Sequence, residues 1–202
     1  MDDVKKLFAK MNATIRQIYF EQDYDLYRRL ATRPYFPLPE NVDEFARKNG
    51  VRVQPLHEIN PQFVYPLSEW KFTFPEVLIG KCPTTFSVYF AVSKICDVFL
   101  IEHYFELLDP APDTPLACGC LDGTGHSEQP TTYLQAELED EILKAMKKNG
   151  LSRLQVRDSK IVVPGLRNKS FEEYFPDSDA AEEFLQLNYW NLLFGAPTGL
   201  LN

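Results

Sequence analysis

Ten residues at 84–93, TTFSVYFAVS, constrain the fold more than any other stretch. Phe86, Val88, Phe90 and Val92 recur at every second position. A period of two places them on one face of a strand, the pattern of an antiparallel sheet with a buried side. WKFTF at 70–74 repeats it, with Trp70, Phe72 and Phe74 on one face and Lys71 and Thr73 on the other. In CDVFLIEHYFELL, Phe99, Ile101, His103, Phe105 and Leu107 share a face. Glu102 and Glu106 there are also one helical turn apart. The β-branched and aromatic content and the adjacent strand favour the hairpin strand over a helix.

Helical spacing appears elsewhere. Val4, Leu7, Phe8, Met11, Ile15 and Ile18 predict an amphipathic N-terminal helix that runs on through DYDLYRRL to about residue 31. The prolines of TRPYFPLPEN end it. In PENVDEFARKNG, Asn41 is the expected cap, with Glu44 completing a capping box and Gly50 stopping the helix. Residues 51–69 read as irregular. Thr132 and Gln135 form a second capping-box pair ahead of the stripe Leu134, Leu138, Ile142 and Ala145. LQV and KIVVPG suggest two short strands around Arg157-Asp158-Ser159. A last helix is expected from Ser178 or Asp179 to Gly195. The chain thus predicts one α+β domain over 1–202, with a mainly antiparallel sheet, helices packed on one face, and helices at both the N- and C-terminal ends. A long Pro/Gly-rich loop spans 109–130.

Charge narrows the function. With 29 acidic against 21 basic residues, the formal charge of −8 argues against a nucleic-acid binder, which needs cations against phosphate. It suits a basic protein partner, although solubility alone accounts for it as well. The start, MDDVKKLFAKMNATIRQIYF, lacks the basic-then-apolar order of a signal peptide. No stretch approaches the roughly 18 apolar residues of a membrane span. A cytoplasmic protein without membrane association is expected, with its four cysteines reduced.

Chemistry-bearing residues are few. CGCLDGTGHSEQP at 118–130 brings Cys118, Cys120 and His126 close in sequence. One residue between the cysteines is too tight for the usual zinc pair or redox dithiol, and no second pair exists. A solvated loop is favoured, with a metal site at Cys118, Cys120 and His126 as the weaker alternative. No cofactor is expected. There is no Gly-x-Ser-x-Gly elbow and no phosphate-loop pattern. His103, on an apolar strand, reads as a hydrogen-bonded structural histidine. Glu137, Glu139, Asp140 and Glu141 read as the wet face of a helix.

The acidic, aromatic segment SFEEYFPDSDAAEEF is the more suggestive surface. Glu172, Glu173, Tyr174, Asp177, Asp179, Glu182 and Glu183 combine steering charge with aromatic anchors, as a basic protein partner requires. The same acids also suit a helix N-terminus, with the rings in the core.

LPENVDEFARKNG at 38–50 resembles the early helix of the SUKH superfamily of bacterial immunity proteins. Val51 follows Gly50 where that pattern usually carries a second glycine. VVPGLRNKSFEEYF resembles a C-terminal strand-turn-helix of several immunity families. The resemblance implies a non-enzymatic, immunity-type inhibitor that occludes the active site of a toxin domain. A small hydrolase or metal-dependent enzyme using the 109–130 loop, and a structural or adaptor subunit, are the alternatives.

Overall fold

The computed structural model of the chain describes residues 2–56, 66–80, 82–107, 124–166 and 187–195. Its centre is the expected hairpin. Strand β4 (Cys82–Ser93) pairs antiparallel with β5 (Val98–Leu107), bringing Phe90 opposite Ile101 and Val88 opposite His103. Strand β2 (Leu67–Thr73) pairs with the far side of β4, and β1 (Arg52–Pro55) with β2. Strand β3 (Val77–Ile79) extends that side along the start of β4. Strands β6 (Thr124–Ser127), antiparallel, and β7 (Ser152–Arg153), parallel, share the outer edge of β5 at its two ends. The class is α+β with a seven-stranded, mainly antiparallel sheet.

Helices α3 (Glu40–Lys48) and α4 (Tyr133–Lys148) cover the face predicted to be buried. Val42 and Ala46 of α3 and Leu138, Ile142, Ala145 and Met146 of α4 close over Trp70, Phe72, Phe86, Val88, Phe90 and Ile101. The opposite face is covered as well, over one half of its length. Leu67, Ala91, Val98 and Leu100 pack with Met11, Ile15, Ile18, Tyr19 and Leu30 from the N-terminal helices. Leu192 and Leu193 of α6 (Tyr189–Leu193) join the same cluster. The small Ala91 amid these apolar neighbours marks where the helices come in.

The N-terminal helix is interrupted. Helix α1 (Asp2–Ile15) widens into a π-helical turn (Arg16–Phe20), then α2 (Tyr24–Ala31) starts afresh. Gln22 has φ +58°, which no continuous helix allows. Asp23 then caps α2 by accepting from the Leu26 amide at 2.9 Å. The wide turn buries Tyr19 beside Ile18, and the Tyr19 hydroxyl donates to the Leu192 carbonyl at 2.9 Å.

Asn41 is not a cap. Helix α3 begins at Glu40, two residues earlier than an Asn41 cap would place it, behind Pro39, and Asn41 Nδ2 donates to the Glu141 carbonyl and carboxylate. The second capping box is as expected. Thr132 accepts from the Gln135 amide, and Gln135 Oε1 accepts from the Thr132 amide. Gly50 takes φ +65°, the left-handed stop.

The stretch read as irregular contains β1 and the start of β2. Strand β1 ends at Pro55 on a sheet edge, where proline is tolerated. The loop placed at 109–130 yields β6 at its far end, and residues 109–123 lie outside the described residues. LQV gives no strand, since β7 sits just before it and Val156 opens a short helix, α5 (Val156–Ser159). KIVVPG is reduced to a single bridge between Val162 and Asn188. That bridge also ends the idea of an unbroken last helix into Gly195, because α6 begins only at Tyr189, with Asn188 as its cap.

Candidate functional site

Successive cross-strand rows run along the second sheet face. Leu67–Ser93 and Glu69–Ala91–Leu100 come first, with Leu67, Ala91 and Leu100 under the helices; Lys71–Tyr89–Glu102 and Thr73–Ser87–Tyr104–His126 follow, with Thr85–Glu106 beyond. The face changes from apolar to polar at Tyr89, whose ring lies 6.3 Å from Trp190 of α6. Past that border the side chains are mostly half-buried or exposed, with Lys71, Glu106 and His126 the most open.

Hydrogen bonds order this polar half. The Tyr89 hydroxyl donates to Glu69 Oε2 at 2.6 Å, and the Tyr104 hydroxyl donates to the Glu102 carboxylate. Burial, aided by these carboxylates, pushes both phenols well above their ordinary range, so they stay protonated donors. The Tyr104 and His126 rings lie 6.3 Å apart. A shallow cavity of about 220 Å³ opens among Lys71, Ser87, Tyr89, Tyr104, Phe105 and Glu106. Two tyrosines and three glutamates against one lysine make this an acidic, aromatic surface. It can receive cationic groups by charge and ring contact.

Polar contacts hold the platform from beneath. Gln135, fully buried, donates from Nε2 to the Ser87 carbonyl at 3.0 Å and the Tyr104 carbonyl at 3.3 Å. The residue that caps α4 therefore also ties it to the two strands bearing the tyrosines. Glu139 was expected on the wet face of α4; it is 9% exposed and turned inward. Its Oε1 accepts from Arg153 of β7 at 2.5 Å, and its Oε2 lies 3.0 Å from His103 Nε2. His103 Nδ1 and Arg153 Nε have no hydrogen-bond partner among the described residues. His103 is thus the buried structural histidine expected, with Nε2 at hydrogen-bonding distance from the Glu139 carboxylate. Burial pushes the Glu139 carboxyl up, but His103 and Arg153 outweigh it and hold it below its ordinary value. The His103 side chain is fully enclosed, while Glu139 and Arg153 keep a small part of theirs exposed.

His126, the one sequence candidate within the described residues, stands exposed on β6 beside Tyr104. Cys118, Cys120, Glu172, Glu173, Tyr174, Asp177, Asp179, Glu182 and Glu183 lie outside the described residues. Among the described residues no three His, Cys, Asp or Glu side chains converge as metal ligands. None of the described helices is long and apolar enough to cross a membrane. Sequence reasoning missed Glu69, Tyr89, Glu102 and Tyr104. The available signal was the polar half of the alternation itself, whose tyrosines stand at positions where threonine or lysine would serve a plain wet face.

The fold and this surface define an α+β protein presenting an acidic, tyrosine-bearing sheet face. No family model, curated protein or solved structure matches the chain.

Proposed function

We propose that the chain is a non-enzymatic protein-binding module, an immunity-type inhibitor that blocks a basic toxin domain. The observation that carries the reading is the polar half of the sheet face, where Tyr89 and Tyr104 stand among Glu69, Glu102 and Glu106. Tyrosine supplies large contact area at small entropic cost, and the carboxylates steer a cationic partner into register. The net charge of −8 adds long-range attraction of the same sign.

The test begins with affinity capture of partners from the native host, followed by kinetics with the purified partner. Wild-type association should slow steeply as salt rises. Glu102→Lys with Glu106→Lys moves each site from −1 to +1, a change of four charge units. That variant, shown folded by circular dichroism, should associate at least about tenfold more slowly at low salt. An acidic partner, or wild-type association by the variant, would sink the proposal. Turnover of a small-molecule panel by the pure chain, with no protein captured, would put an enzyme in its place.

A further inference from the structure

We propose a second binding site, for a small organic carboxylate, in the cavity where the α2–α3 linker crosses the end of the sheet. The cavity holds about 230 Å³ and is lined by Arg33, Phe36, Val92, Lys94, Asp97 and Leu151, among others. It is smaller than the roughly 300–1,000 Å³ clefts that take drug-sized ligands, so the occupant is small.

Lys94 is the central observation. It sits in the tight loop between β4 and β5 and is 9% exposed. Its Nζ donates to the Ala31 carbonyl at 3.2 Å and lies 3.6 Å from the centroid of the Tyr35 ring. An ammonium has three donors. One is taken by Ala31 and the Tyr35 ring engages the ammonium on another side, which leaves room for a further acceptor. Burial lowers the Lys94 amine to about 8, and among the described residues no carboxylate forms an ion pair with it.

The local charge selects an anion. Arg33 and Lys94 contribute +2 and Asp97 −1, leaving +1 on the lining of a chain that is −8 overall. The Asp97 carboxylate is further neutralised by Lys10 Nζ at 2.5 Å. Arg33 is exposed at the rim and makes no ion pair with a described residue, so its fork is open to a carboxylate. Phe36, Val92 and Leu151 offer apolar surface to the body of the ligand, a feature a bare inorganic ion does not use.

The loop is also built to hold its shape. Ser93 Oγ accepts from the Ile95 and Cys96 amides at 3.1 and 3.3 Å and donates to the Leu193 carbonyl at 2.5 Å. On the other wall, the Ser68 hydroxyl accepts from the Phe36 amide at 2.7 Å. Both walls are therefore fixed before any ligand arrives, which lowers the ordering cost of binding.

Benzoate is the probe, titrated into the labelled wild-type chain and followed by amide and lysine side-chain NMR. Saturable shifts should gather at residues 33–36, 68 and 92–97. The Lys94 titration midpoint should rise in saturating benzoate, because a bound anion favours the charged amine. Lys94→Met should weaken binding at least about tenfold, roughly the share of one charge-assisted bond. Should that variant not fold, Arg33→Gln, at an exposed site, should weaken binding several-fold while the fold stays intact. Absence of saturable shifts, or a Lys94 midpoint unmoved by benzoate, overturns the site. Inorganic phosphate binding as tightly as benzoate overturns the assignment to organic carboxylates.

Discussion

Three substitutions along β4 measure whether the sheet is buried on both faces over one half and on one face over the other. Phe90 is fully buried, its ring stacked 5.2 Å from Trp70 and edge-on to Phe99 at 6.2 Å. Phe90→Ala removes about 150 Å² of buried ring surface, which at about 25 cal/mol per Å² is about 4 kcal/mol. Loss of the two ring contacts takes the expected cost toward 5 kcal/mol, the upper part of the roughly 3–5 kcal/mol seen for such changes. The next residue, Ala91, points the other way and is also fully buried, against the N- and C-terminal helices. Ala91→Leu should therefore cost about 1–3 kcal/mol by overpacking. Thr85 lies on the same face as Ala91 but in the polar half, so Thr85→Ala should stay within about 0.5 kcal/mol. The assay is urea unfolding followed by far-ultraviolet circular dichroism, since Trp70 fluorescence changes when its stacking partner is removed. A Phe90→Ala cost below about 2 kcal/mol would refute the burial argument, as would a Thr85→Ala cost equal to it. An Ala91→Leu variant as stable as wild type would refute the second core.

Two further outcomes follow from the platform. Glu139→Ala should cost about 3–5 kcal/mol, because it leaves Arg153 and His103 buried without their carboxylate. The Glu139 carboxyl is held below its ordinary 4.5, so its contribution is present above that value and is lost as pH falls through the lower folded-state value. Acid unfolding of wild type should accordingly show a stability loss below about pH 4.5 that Glu139→Gln does not share. At Gly125, opposite Phe105, an added Cβ would lie 2.1 Å from the Phe105 ring. Gly125→Ala should cost about 1–3 kcal/mol, and Phe105→Leu in the same chain should recover part of it, as a double-mutant cycle reads.

The sheet was legible in the sequence where alternation was long. Trp70 to Phe74, Phe86 to Val92 and Phe99 to Leu107 each hold five or more residues, and their buried face is as read. Strands β1, β3 and β7, of four, three and two residues, are too short to carry a period. They form because a longer partner offers its edge, a tertiary effect. The capping box at Thr132 was legible because both its bonds are local. Asn41 misled because its partner, Glu141, is 100 residues away. The polar surface was half legible: the alternation placed Tyr89 and Tyr104 off the core face, but their pairing with Glu69 and Glu102 depends on register. His103 and Glu139 met for the same reason, a strand residue and a helix residue that nothing in the sequence aligns.

The two cores also differ in when they can exist. The one beneath α3 and α4 draws on residues 42 to 146 and can close while synthesis continues. The other joins Met11, Ile15 and Tyr19 to Leu187, Tyr189 and Leu192, and is sealed by the bond from the Tyr189 hydroxyl to Asn12 Oδ1 at 2.6 Å. Its first half leaves the ribosome on the order of ten seconds before its last, at the usual pace of translation. Through that interval the apolar stripe of the first helix has its sheet partners, Leu67, Ala91, Val98 and Leu100, but lacks α6. This second core therefore stays open to chaperones and to mispairing until α6 arrives.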